Sequence, residues 1–175
     1  WLYRGAARIV AISVAVRGAI VAGQPALASR TVVIPLPVDL SRFGHRPVVA
    51  PGSKRTLLYV GRIHPEKGIE LLLRAFMGLQ VRYPNWRLAL VGPISESEGG
   101  GGEAFAGALR ELSRGAAVEW RGAVWDPKVL AALYASGDLF CYPSLAERGE
   151  AFGVAALESM AAGVPPVVSD LACFR

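Results

Sequence analysis

The chain is poor in the residues and patterns that mark several classes of function. Its 175 residues include only two cysteines, Cys141 and Cys173, each inside an apolar stretch and without CxxC spacing. That excludes a disulfide scaffold and a thiolate zinc site, and leaves reduced thiols of the kind expected inside a cell. Histidine is equally scarce, with His45 and His64 both in loop-like sequence. No GxGxxG follows any strand-like run, which disfavours a dinucleotide oxidoreductase. No GK[ST] closes the four-glycine run at 99–102, so it is not a P-loop and reads as a flexible surface turn. Charge is sparse at 19% against 53% hydrophobic residues, which excludes a disordered chain.

Long apolar runs are also few. The one at 9–28 is long enough to span a bilayer and ends in an Ala-Leu-Ala that imitates a signal-peptide cleavage site. Arg17 near its middle would cost about 2.5–3.5 kcal/mol on an insertion scale. Gln24 and Pro25 interrupt its second half, so a strand followed by a helix is expected instead.

The net charge of +5 is local. Residues 1–50 hold six arginines (Arg4, Arg8, Arg17, Arg30, Arg42, Arg46) against the single acid Asp39. Residues 51–175 balance 13 basic side chains with 13 acidic ones, so the main body has no nucleic-acid-binding excess.

Short β-branched runs alternate with helical patterns. Strands are expected at 8–12, 32–35, 57–60, 86–91, 118–121, 139–142 and 166–169, mostly as continuous apolar runs of the kind buried on both faces of a parallel sheet. Helices are expected at 13–22, 67–83, 103–113, 127–136 and 153–162. In the second, Ile69, Leu72, Leu73, Phe76, Leu79 and Gln80 form a stripe at helical spacing. The alternation predicts an α/β fold with a doubly wound parallel sheet. Pro, Gly and charge replace periodicity at 39–54, and Pro35 and Pro37 stiffen the approach, which places a boundary near residue 35.

In such a sheet ligands bind outside the carboxyl ends of the strands, so the turns after strands carry the candidate residues. The first is Gly61-Arg62-Ile63-His64-Pro65-Glu66-Lys67-Gly68, opening a helix. Gly61 permits close backbone approach. Arg62 and Lys67 put a bidentate fork and a compact charge near a helix start that favours anions, a pairing suited to a diphosphate. Two solvated loop charges would have the same spacing. In the second turn Glu150 precedes a helix and Glu158 follows with seven residues between them, inside that helix. The helix is apolar nearly all round and expected to be buried, so Glu158 needs a partner or a ligand. The two carboxylates can hold sugar or ribose hydroxyls; equally, Glu150 can be a helix-start charge and Glu158 a surface residue. The third turn, Gly122-Ala123-Val124, offers only backbone contacts to a base.

The segments GRIHPEKGIELLLRAF (61–76), RLALVG (87–92), VEWRGAV (118–124), LYASGDLFCYPS (133–144) and EAFGVAALESMAAGVPPVVSD (150–170) resemble the C-terminal domain of retaining family 4 glycosyltransferases of the GT-B fold. The E-x7-E spacing with EAFG and MAAGVP in register is specific, and GRxxPEKG adds independent weight. VAIS (10–13) resembles the end of that family's first domain, and VIPLPVDLSRF (33–43) its interdomain linker. The resemblance implies that residues 1–34 end an acceptor-side domain, 35–54 link, and 55–175 form a Rossmann-like nucleotide-sugar-binding domain. Starting at Trp1 and stopping at Arg175, the chain is expected to be cut at both ends.

By the same resemblance, Arg62 and Lys67 bind the diphosphate of the donor and neutralise it as it leaves. Glu150 contacts the donor sugar and Glu158 the ribose hydroxyls. The backbone around Phe152, Gly153 and Val154 supports sugar and phosphate, the Val124 region meets the base, and Gly61 is a further substrate-binding candidate. Asp-x-Asp is absent, so no metal and no other cofactor is expected. The linker has Pro35-Leu36-Pro37 where many members have Pro-Asn-Gly, and Glu147 is a competing carboxylate at the wrong spacing from Phe152. The implied function is transfer of a sugar, with retention, from a nucleotide diphosphate sugar to a glycan, lipid or small-molecule acceptor, this chain supplying the donor half and transferring nothing alone. A non-catalytic nucleotide-sugar module, a phosphorylase or an epimerase are the alternatives. A cytoplasmic location is expected, with the basic segment 1–50 favouring either an anionic acceptor or a peripheral contact with anionic membrane.

Overall fold

A computed structural model describes Tyr3 and residues 5–44, 53–147 and 149–175. Within it the chain divides into two units, one made of Trp1–Val38, Ala146–Val154 and Asp170–Arg175, the other of Asp39–Leu145 and Ala155–Ser169. His45 lies outside the described residues, as does much of the expected linker.

In the first unit, β1 (Ile9–Ala11) runs parallel to β2 (Thr31–Val33), joined by α1 (Val14–Gly23) and a 3-10 turn at Pro25–Arg30. Ser13 caps α1 by accepting from the Val16 amide at 3.1 Å, which stops the strand and starts the helix. The apolar run at 9–28 is therefore spent on a strand, a ten-residue helix and a turn. No helix among the described residues is long and apolar enough to cross a membrane. Arg17 donates to the carbonyls of Thr31 and Ala28, and Arg30 to that of Ala6. Arg17 and Arg30, both part of the local surplus, thus tie separate stretches of backbone together.

The second unit holds a five-stranded parallel sheet. Its strands are β3 (Arg55–Val60), β4 (Trp86–Val91), β5 (Val118–Trp120), β6 (Leu139–Tyr142) and β7 (Pro166–Val168), in the order β5-β4-β3-β6-β7. The order reverses beside β3, between β4 on one side and β6 on the other, which is the switch point where doubly wound sheets open a crevice. β3 and β4 pair over six residues, and Leu58, Tyr59, Leu88, Ala89, Leu90 and Val91 are almost wholly buried. At about 1.5–3 kcal/mol for each large apolar side chain, this pair is the rigid floor of the unit.

The connecting helices are α2 (Ile69–Gln80), α3 (Gly102–Leu112), α4 (Pro127–Ala135) and α5 (Val154–Ala161). Three departures from the sequence expectation matter. α2 begins at Ile69, because Pro65–Lys67 is a separate 3-10 turn and Gly68 breaks the path in the left-handed region at φ 68°. Its buried stripe ends at Phe76: Leu79 is 50% exposed, and Gln80 accepts from the Ala117 amide. α5 is not buried all round, since only Ala156 and Ser159 are buried and Met160 is exposed. An apolar cleft lined by Leu57, Phe76, Leu79, Tyr83, Trp86 and Leu139 lies at the amino ends of the strands and carries no chemistry.

Candidate functional site

Backbone contacts between turns build the carboxyl edge of the sheet. Gly61, just past β3, donates to Val91, and Gly92, just past β4, donates to Gly122. A Cβ on Gly92 would lie 1.8 Å from the Gly61 carbonyl, so the first turns stack with no room for a side chain. Ile63, 1% exposed, anchors the middle of the β3 turn, and His64 caps the 3-10 turn through Nδ1, 3.4 Å from the Glu66 amide. The turn after β6 locks onto the turn after β3: Leu145 donates to the Glu66 carbonyl at 2.7 Å, and a Cβ on Gly68 would lie 2.1 Å from the Pro143 carbonyl.

The cationic pair expected in this turn is brought together, around a residue that sequence spacing did not single out. Arg62 ion-pairs with Glu66, and the Lys67 ammonium lies 4.0 Å from the same carboxylate oxygen. His64 Nδ1 is 3.8 Å from it. Arg62 also donates to the Gly99 carbonyl at 2.6 Å, and its side chain is 42% exposed. Lys67 is 6% exposed and sits 5.5 Å over the ring of Tyr142, itself stacked on Tyr59. A buried ammonium with an aromatic face and a carboxylate beside it is fixed in place before any ligand arrives. Two solvated loop charges do not describe Lys67.

The four-glycine run is not a flexible turn. Gly100 donates to Ser95, Gly101 to Ile63 and Gly102 to Ile94, and a Cβ on Gly100 would lie 2.1 Å from the Ile94 carbonyl. Its glycines allow close packing, Gly100 against the Ile94 backbone and Gly101 against Pro65 of the β3 turn, and its Gly99 carbonyl holds Arg62.

Gly61, Arg62 and Val124 line one cleft of about 440 Å³, together with Val60, Gly92, Ala123, Trp125 and Leu130. That volume suits a small ligand. Trp125 is 71% exposed. The sequence expectation includes Val124 but not Trp125, although an aromatic side chain directly after a strand-end turn is a legible signal.

Glu158 lies in the second turn of α5, as expected, and it has a partner. The Tyr134 hydroxyl donates to Glu158 Oε2 at 2.9 Å. Tyr134 is fully buried, and burial, reinforced by the Glu158 charge, holds its phenol far above the usual range, so it stays a donor. The carboxylate is oriented by a group that cannot move away.

Glu150, Phe152, Gly153 and Val154 fall in the first unit. There Ser13 donates to the Ala151 carbonyl at 2.6 Å, and Gly153, at φ 74°, lies against Phe174, whose ring a Cβ would meet at 2.2 Å. The described structure thus gathers Gly61, Arg62, Lys67 and Val124 at one strand-end region of the second unit, with Glu158 on a helix of that unit and Glu150 on a loop of the first.

Comparison with known proteins bears on this geometry. A family model described as "Glycosyl transferases group 1" matches residues 42–175. Among curated proteins, the chain is 37% identical over 155 residues to a phosphatidyl-myo-inositol mannosyltransferase of Mycolicibacterium smegmatis, covering 86% of this chain and 37% of that protein. It is 31% identical over 153 residues to a GDP-mannose:cellobiosyl-diphosphopolyprenol alpha-mannosyltransferase of Xanthomonas campestris, covering 83% and 36%. The chain therefore spans little more than a third of the length of these relatives. Among solved structures, a glycosyltransferase of Rickettsia africae superposes with a TM-score of 0.79 at 20% identity, covering 97% of this chain and 47% of that one. Anabaena HepE in complex with UDP-glucose gives 0.74 at 21% identity, covering 98% and 47%. These two likenesses are of fold.

Proposed function

The chain belongs to the group 1 glycosyl transferases, and from that premise we propose that it supplies the donor-binding half of an enzyme that moves a sugar from a nucleotide diphosphate sugar to an acceptor, with retention at the anomeric carbon. The observation that carries this is the turn after β3, where Arg62 and the buried Lys67 converge on Glu66 at the switch point of the sheet. When the bond from the anomeric carbon to the phosphate oxygen breaks, negative charge grows on the leaving diphosphate. Fixed cations stabilise it there without reorganising, which is the efficient form of electrostatic catalysis. No metal is required in this scheme. Glu158, held by Tyr134, takes the ribose hydroxyls. Glu150 and the backbone at Phe152, Gly153 and Val154 take the sugar, and Val124 with Trp125 borders the base.

The donor we put first is a GDP-mannose, because the curated relatives above are named as mannosyltransferases and one of them for GDP-mannose. Both names also specify lipid-linked acceptors. Acceptor recognition is assigned to the part of the relatives' length that residues 1–175 do not span, so the chain alone should transfer nothing detectable. Peripheral contact with anionic membrane through the basic segment 1–50 belongs to the same proposal. A thermal-shift panel of GDP-mannose, UDP-glucose, ADP-glucose and a CDP-sugar tests the donor: a ligand that binds the folded chain raises its melting temperature. The largest rise is expected with GDP-mannose, and no rise with any of the four would overturn the proposal.

Trp125 gives a more local check. Stacking of a base on an aromatic side chain is worth about 1–3 kcal/mol, so Trp125→Ala should weaken nucleotide binding roughly tenfold, and Trp125→Phe much less. Equal nucleotide affinity in the parent and Trp125→Ala would remove Trp125 from the base pocket.

A further inference from the structure

The hydroxyl of Ser13 has two roles, one toward a residue three positions away and one toward a residue 138 positions away. It accepts from the Val16 amide, capping α1, and it donates its single proton to the Ala151 carbonyl at 2.6 Å. The residue is 7% exposed and both bonds are partly shielded from water. Ala151 immediately follows Glu150 and precedes Phe152 and Gly153, the stretch to which the donor sugar is assigned above. Two positions further on, Gly153 is fixed by its left-handed backbone and the Phe174 ring. Between Ala146 and Gly153, the bond from Ser13 thus ties the middle of the loop to β1 and α1.

We propose that Ser13 is a positioning residue for the Glu150 loop: it holds the Ala151 carbonyl so that Glu150 and the amides that follow are set for the donor sugar, and it couples that loop to the start of α1. The proposal rests on the donor-sugar role of Glu150, and its test separates the two ideas. A hydroxyl can cap and donate, whereas a carboxylate can cap but has no proton to donate. Ser13→Asp therefore preserves the cap of α1 and removes the tie to Ala151, Ser13→Thr keeps both, and Ser13→Ala loses both.

Hydrogen exchange on the 175-residue chain reads the tie directly, and titration calorimetry with GDP and GDP-mannose reads its consequence. In Ser13→Asp, amides of α1 should keep their protection while those of residues 149–153 exchange roughly fivefold faster, the effect expected of one lost neutral hydrogen bond. GDP affinity should stay within about twofold of the parent, while the affinity that GDP-mannose gains over GDP from its sugar should fall by roughly fivefold. Ser13→Thr should match the parent in every reading. Unchanged exchange at 149–153 in both Ser13→Asp and Ser13→Ala would overturn the proposal, as would a parallel loss of GDP and GDP-mannose binding, which signals general destabilisation. Should Ser13→Asp not fold, the contrast between Ser13→Ala and Ser13→Thr at residues 149–153 decides. If the parent binds neither GDP nor GDP-mannose, the donor assignment fails while the exchange result still settles the tie.

Discussion

Lys67→Ala is expected to weaken binding of the donor nucleotide about 10- to 100-fold, since each charge-assisted hydrogen bond is worth about 1.5–3 kcal/mol and each 1.4 kcal/mol is tenfold in affinity. The site of this lysine explains why the loss should be large. The residue is 6% exposed, with its ammonium over Tyr142 and 4.0 Å from Glu66, so solvent screens it little and its rotamer is already restricted. An exposed lysine recruited only on binding would contribute far less. Lys67→Met separates charge from packing, because it keeps an unbranched apolar stem beside the Tyr142 ring. It should bind nucleotide as poorly as Lys67→Ala while melting closer to the parent. Lys67→Arg should not restore affinity, because a planar guanidinium does not fit the place of a compact ammonium buried beside an aromatic face. Calorimetric titration of the four proteins with GDP checks this. Parent-like affinity in Lys67→Ala would remove the lysine from the diphosphate site.

Gly68→Ala should cause the largest loss of stability among the single substitutions considered. The residue sits at φ 68°, where a side chain costs roughly 1–2 kcal/mol, and its Cβ would lie 2.1 Å from the Pro143 carbonyl, a backbone atom that cannot swing aside. A total near 3 kcal/mol corresponds to a fall of about 6–12 °C in melting temperature for a chain of this size. The damage reaches function, because Gly68 is where the turns after β3 and β6 interlock next to Lys67. Gly78→Ala is the control: Gly78 lies inside α2 with nothing within 4 Å of its Cβ, and alanine there should stabilise by about 0.5–1 kcal/mol. Differential scanning calorimetry of both variants tests the pair. Similar melting of Gly68→Ala and the parent would mean that the two turns can separate without cost.

Much of this architecture is local enough to read from residue order. β4 and β6 have the bounds their apolar runs suggest, and α4 starts at Pro127, behind the Asp126 cap. Local pattern failed where the deciding contact is remote. PEKG looks like a first helical turn, and only the approach of the Pro143 carbonyl, far along the chain, shows why position 68 has no room for a side chain. Four consecutive glycines look flexible until Ile63 and Ile94 are seen accepting their amides. Glu66 resembles a helix-start acid, and its place among Arg62, His64 and Lys67 depends on the turn that Gly68 allows. Glu158 was legible as a carboxylate needing a partner, but nothing in the sequence points to Tyr134, 24 positions earlier. Ser13 is legible only as the first residue of the helix expected at 13–22, and nothing local points to Ala151.

The claim on which the rest depends is that the turn after β3 holds the diphosphate of a nucleotide sugar. Amide-resolved NMR titration of the chain with GDP, and with UDP, ADP and CDP for comparison, tests it most directly. Saturable shifts of the Gly61, Arg62 and Gly68 amides, accompanied by Val124 and strongest with GDP, are the predicted result. Shifts confined to residues elsewhere in the chain, or none at millimolar concentrations of any of the four, would contradict it.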